Sequence, residues 1–395
     1  EFSCIALGDT LSSSFASPCW RETLFEQILA DDFDGLDPTL AGSVSLLKKR
    51  GAHRCWHKHS TFLDHLLGVH NILRLWGQGQ TIGRVGLFHS AYSNSYVNLA
   101  LFDSNDPAER KVIQDTVGQT VEELVHMFCI INRQNVVVET LLKNGYIPPE
   151  GIEVPHLRKP NQKVYLSSET LRMLIVFTMA DMSDQYFGWQ DRLFGGDQML
   201  NSMLAPDADD LSTHESTAIW PGLSQPGLWM SYMSELGAIA KTFVSVSSSK
   251  SPGLNPSQDD RRLDLPPVFD NCTKLLLRED EAKARDLYWS VITGEIKEND
   301  ELVIETLKRA VEHNPWAFEP YVVLSQKYLH LNDFDRALTM AGRALDLQQQ
   351  WGTAWDKRLS FQAWVAWTRV MYQRAEDKLE WPKDSWSVIN LGLVR

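Results

Sequence analysis

Apolar residues spaced three and four apart run through segment after segment of this chain. The clearest case lies between Ser60 and Trp76, where Phe62, Leu66, Val69, Leu73 and Trp76 recur at that spacing. This puts a stripe of side chains on one side of an α-helix, and the stripe must be buried against other elements. Gly77 and Gly79 stop the helix. Trp20–Leu29, Leu40–Arg50, Thr81–His89, Thr120–Asn132 and Val136–Asn144 read as further helices, with an acidic turn from Asp31 to Pro38. Asp106 and Pro107 open another as N-cap and first-turn residue. Ser168 and Glu169 open a helix over Leu171–Asp184 whose face carries Leu174, Phe177, Thr178 and Asp181. The stretch 146–166 holds Pro148, Pro149, Pro155 and Pro160 and is expected to be a loop. The expected fold class is therefore all-α.

The 395 residues suggest two domains. Residues 1–17 are Ser-rich and read as a flexible lead-in, and residues 244–267 are rich in Ser, Pro, Gly and charge and read as a linker. One helical domain is then expected over 18–243 and a second over 268–395. In the second, Tyr321, Leu324, Tyr328, Ala337, Ala341 and Ala344 fall where a tetratricopeptide repeat, a helix–turn–helix unit of about 34 residues, places its packing side chains. Leu307, Ala310 and Pro315 match the latter half of a preceding unit. Two repeats cannot bury a solenoid core alone, so they are expected to pack on the first domain or on the Trp-rich tail. Such a module could bind a protein partner.

Charge and cysteine content narrow the function classes. A net charge of −13 gains nothing from a phosphate backbone, so no nucleic-acid partner is expected. Cys4, Cys19, Cys55, Cys129 and Cys272 are scattered and form no CxxC pair, which points to a reducing compartment. No apolar run approaches the roughly 18 residues of a membrane span, so no membrane partner is expected. The expected location is cytoplasmic, or organellar after removal of a transit peptide. There is no P-loop, GxSxG elbow, HExxH helix or Rossmann glycine fingerprint.

The chemistry-bearing run is HSTFLDHLLGVHNILRLWGQGQTIGRVGLFHSAY, residues 59–92. His65 with Val69 on one helix, Gly86-Leu87-Phe88-His89 ending the next, and Ala180-Asp181 on a later helix resemble the motifs of the HD-domain superfamily. The resemblance covers roughly residues 40–190. It implies a helical domain holding divalent metal through His65, His89 and Asp181. The superfamily has Asp where this chain has Ser90, as in an uncharacterised branch found before helical repeats. Serine removes the charge that would help hold a second ion, so one metal is expected. His126 is either a further ligand or a buried hydrogen-bonded histidine. Asp184, one turn beyond Asp181, is an alternative ligand or a partner for an imidazole. Ser90 and Tyr92 are the candidate catalytic side chains, with Ser93, Asn94 and Ser95 beside them as pocket lining or simple turn residues. His70, off the face of His65, is expected on the polar surface. His53, His57 and His59 with Cys55 are expected to form a loop without metal. Arg110, Lys111 and Arg133 are expected on an exposed face rather than as anion binders near the site.

Two imidazoles and one carboxylate suit a single Fe(II) with open positions; Mn(II) or Zn(II) are the other options. Iron oxygenases such as myo-inositol oxygenase occur in the superfamily, so the first expectation is iron-dependent oxidation of a small-molecule substrate. The alternatives are a metal-dependent phosphohydrolase and a non-catalytic HD domain joined to a protein-binding repeat module.

Overall fold

A computed structural model describes residues 19–57, 60–93, 99–188, 225–242, 275–297 and 299–391. The lead-in 1–17, the linker 244–267, His59, Asn94, Ser95, Cys4 and Cys272 lie outside the described residues. The described chain is predominantly helical, of the all-α class. No described helix is long and apolar enough to cross a membrane.

Three helices, α1 (Cys19–Leu29), α2 (Phe33–Leu36) and α3 (Leu40–Lys49), lead through a two-residue antiparallel ribbon of β1 (Trp56–His57) and β2 (Ser60–Thr61) into α4 (Phe62–Leu75). Thr61 starts α4 with a reciprocal cap: its hydroxyl accepts from Asp64 N while the Asp64 carboxylate accepts from Thr61 N. After α5 (Gln80–Phe88) come α6 (Pro107–Val117) and α7 (Gln119–Ile130). Residues Asn135–Leu142 form a helix with π rather than α hydrogen bonding. The long helix α8 (Ser168–Gln185) is capped by the Ser167 hydroxyl, which accepts from Thr170 N.

The expected loop over 146–166 is instead an antiparallel hairpin of β3 (Ile152–His156) and β4 (Lys159–Leu166). Its inner positions Ile152, Val154 and His156 alternate with exposed ones, the strand period that the prolines obscured. Pro155 is tolerated because it stands where the register shifts, next to His156, in a two-stranded sheet with two edges.

The C-terminal helices run Arg278–Ile292, Asp300–His313, Glu319–His330, Phe334–Trp351 and Phe361–Glu376. One continuous buried cluster includes Leu66, Leu73 and Phe177 together with Leu324, Leu347 and Trp355. The helix Phe334–Trp351 therefore packs directly on α4, and the loop that follows it reaches the end of α8. The hydrogen bond from Trp76 Nε1 to Trp351 O, 3.2 Å long, crosses that junction.

Candidate metal centre

Three helices each bring one group to a common point. His65 lies in the first turns of α4, His89 is the residue that ends α5, and Asp181 lies on the buried face of α8. Glycines at one face of α5 allow the first two to meet. A Cβ on Gly86 would stand 2.6 Å from Leu73 Cδ1, and one on Gly83 would stand 2.8 Å from Arg74 Cδ. Without side chains at those positions α5 lies close against α4 and delivers His89 to His65. The ligand atoms of His65, His89 and Asp181 all lie within 4.8 Å of one another, and all three residues are buried. This group could hold a metal ion.

Hydrogen bonds on the far side of each ring decide what faces inward. His89 Nδ1 lies 2.7 Å from Gly86 O. A carbonyl only accepts, so Nδ1 carries the proton and Nε2 is left bare. Burial pushes the His89 pKa down to about 3, so the ring stays neutral. Its bare Nε2 then faces Asp181 Oδ1 at 3.6 Å. Two acceptors face each other with no hydrogen between them, which is the position a cation relieves. His65 donates from Nδ1 to Asp184 Oδ2 at 2.7 Å, and its Nε2 lies 3.2 Å from Asp181 Oδ1. Burial opposes charge on His65, but the hydrogen bonds to Asp181 and Asp184 outweigh it and raise its pKa to about 9. Without metal, His65 is an imidazolium bridging two carboxylates.

Asp181 is held on both oxygens. Oδ1 also accepts from Gln185 Nε2 at 2.9 Å, and Oδ2 accepts from Arg133 Nη2 at 2.5 Å. Burial would raise its pKa; the Arg133 charge and the His65 hydrogen bond reverse this and hold it well below the usual carboxylate range. Arg133 is itself buried, stacked 4.9 Å from the Phe177 ring centroid, and not on an exposed face as its polar neighbours suggest. A buried arginine needs a carboxylate, and α8 supplies one. Arg110 is also engaged inward, by two hydrogen bonds to the buried Glu122, whereas Lys111 is exposed beside Asp115.

Several expected residues stand elsewhere. His126 does not join the group; it lies half-buried with its ring 6.1 Å from that of Tyr92. Tyr92 commits its hydroxyl to Glu122 Oε1 at 2.8 Å, in a network that also includes Arg110 and Gln114. Ser90 is buried directly after His89. Ser93 accepts from Arg158 Nη2 at 2.7 Å. His70 is fully buried rather than at the surface, because α4 is covered on more than one side and Gly83 leaves room for its ring. The His57 ring lies tilted beside that of His65, with centroids 4.6 Å apart, and its Nε2 pairs with Gln185 Oε1 at 3.0 Å. Gln185 and His57 thus join the centre without any motif to announce them, though Gln185 stands one helical turn after Asp181, on the same face.

Residues 46–133 match DUF6817, a domain of unknown function. No curated protein and no solved structure matches the chain. The DUF6817 segment contains His65, His89 and Arg133, while Asp181 and Asp184 come from α8 beyond its end.

Gly68, inside the DUF6817 segment, offers a direct test of how Asp184 orients His65. A Cβ there would stand 2.1 Å from Asp184 Oδ1. Gly68→Ala favours the helix intrinsically by about 1 kcal/mol, yet it must push the carboxylate off His65 Nδ1. The expected outcome is metal affinity weaker by about tenfold, the low end for loss of a hydrogen bond behind a ligand, with the helix gain offset in the metal-free protein by the weakened His65–Asp184 pair. Calorimetric titration beside thermal melts separates the two effects.

Proposed function

We propose that this chain is a single-metal enzyme on an HD-like scaffold, with iron(II) as the favoured ion and oxidation of a small molecule as the favoured chemistry. The observation that carries it is the bare Nε2 of His89 facing Asp181 Oδ1 inside a buried group of two histidines and one carboxylate. Iron(II) on such a ligand set supplies open positions for O₂ and substrate. The residues around it have defined tasks. Asp184 and the Gly86 carbonyl fix the imidazole orientations, and Arg133 keeps Asp181 ionised. With Arg133 on Oδ2, Asp181 offers an ion chiefly Oδ1, which favours one ion over two. The C-terminal hairpin, read as tetratricopeptide-like, would present its outer surface to a protein partner.

A hydrolytic reading on the same ligands, with Mn(II) or Zn(II) activating water toward a phosphoester, draws on the guanidinium of Arg133 beside the centre. Metal content of protein purified without chelator or added metal distinguishes the readings. Iron near one equivalent is the expected result. Manganese or zinc instead favours hydrolysis, and absence of metal favours a non-catalytic scaffold.

The His65 proton gives this reading a pH signature. An ion and a proton compete for the same Nε2, and the proton is held up to about pH 9. Apparent metal affinity should therefore tighten by ~10-fold per pH unit between pH 6 and 8 and level off near 9. The metal-free protein follows the opposite sign: its raised His65 pKa stabilises it most below the unfolded value, and that stabilisation is lost as pH rises through about 9. Titrations in buffers of different ionisation enthalpy should count one proton released per ion. An affinity that does not change with pH would remove His65 from the ligand set.

A further inference from the structure

The stretch Trp351–Lys357, where the helix Phe334–Trp351 ends, touches both of the helices that carry His65 and Asp181. On the α8 side the contact is at Ser183, two residues after Asp181 and directly before Asp184. The last carbonyls of a helix have no intrahelical donor. That of Ser183 accepts from Lys357 Nζ at 2.7 Å and from Thr353 Oγ1 at 3.4 Å. A lysine at this end also complements the helix dipole. On the α4 side, Trp76 Nε1 donates to Trp351 O at 3.2 Å. Gly352, at φ +69°, comes so close that a Cβ would stand 2.8 Å from Leu75 Cδ1 and 3.5 Å from Ile72 Cα.

The stretch is itself held firmly. Glu319, buried in the preceding hairpin, accepts from Trp355 N at 2.7 Å and from Asp356 N at 2.8 Å. Trp355 Nε1 donates to Gly227 O at 2.9 Å, and Trp364 Nε1 donates to Asp356 O at 2.8 Å. Lys357 Nζ also donates to Ala354 O at 2.7 Å, within its own loop. The C-terminal helices thus reach the ends of α4 and α8 through defined donors as well as packing.

We infer that the C-terminal helical module is part of the scaffold of the metal centre, with Lys357 as a positioning residue that fixes the end of α8 and hence Asp181 and Asp184. This rests on the metal-binding reading proposed above. It assigns the module a task in the site in addition to any partner it binds outside.

Cobalt(II) alone, added to the full-length protein, is the probe, because its visible absorption reports ligand geometry while calorimetry reports affinity. Lys357→Met should weaken Co(II) binding by about tenfold and change the absorption envelope, at a temperature where circular dichroism shows the variant folded. Lys357→Arg, which keeps a cationic donor, should restore part of both. Lys327→Met, which removes a lysine paired with Asp300 in the same module, should change neither. Should Lys357→Met not fold, Thr353→Val removes the lesser donor and should shift the absorption in the same sense by a smaller amount. Wild-type affinity and absorption in a folded Lys357→Met or Thr353→Val, with only the melting temperature lowered, would overturn the inference and leave the metal reading intact. Failure of the wild-type chain to bind Co(II) at all would overturn both.

Discussion

Asp181→Asn should abolish tight metal binding while leaving a folded but weakened protein. Asparagine keeps the shape and an oxygen acceptor but removes the charge that opposes the ion, the His65 imidazolium and Arg133 together. Loss of a ligand should exceed the ~100-fold upper range seen when only the groups behind ligands are removed. The metal-free protein should also lose stability, because Arg133 and His65 remain buried without the Asp181 charge. Breaking one side of a buried ion pair costs about 3–5 kcal/mol. Calorimetry and denaturant unfolding measure the two effects independently. Retained wild-type affinity in Asp181→Asn would take α8 out of the centre.

Arg133→Met should also lower the stability of the metal-free protein, but by a loss that metal can recover. In the metal-free protein it leaves the buried Asp181 carboxylate with the His65 imidazolium as its remaining ion-pair partner among the described residues, at a cost of up to about 3–5 kcal/mol. Unlike Asp181→Asn, it leaves all three ligands present, so added metal should recover much of the loss by supplying the missing cation. It also removes the cation that occupies Asp181 Oδ2. Two divalent ions about 4 Å apart repel by ~16 kcal/mol even at an effective dielectric of about 20, so a second ion needs added carboxylate charge. Ser90→Asp introduces a carboxylate after His89. The double variant Ser90→Asp/Arg133→Met should therefore take up a second ion where the wild type takes one. A double variant that still binds one ion would show that neither Ser90 nor Arg133 sets the stoichiometry.

The ligand residues of this centre are legible through the resemblance of the His65, His89 and Ala180-Asp181 segments to HD-superfamily motifs, and Asp184, one turn after Asp181, is legible as a partner of an imidazole. Arg133 was not legible as a partner of Asp181, because the pairing joins residues far apart in the chain and Arg133 follows the end of α7 with no pattern around it. His70 shows the limit of a one-face argument: α4 packs against α5, α8 and the C-terminal helices, so positions off the main stripe are buried too. Tyr92 turns to Glu122, which Arg110 also holds, and His126 lies beside the Tyr92 ring rather than at the centre. The hairpin of β3 and β4 was hidden by prolines that a bulge and open edges accommodate.

The central claim is that three side chains share one ion, and anaerobic titration of metal-free protein with Fe(II), read by calorimetry, tests it most directly. The account predicts one tight ion per chain, accompanied by release of the His65 proton and lost in Asp181→Asn. Two tight ions in the wild-type chain, or none, would contradict it.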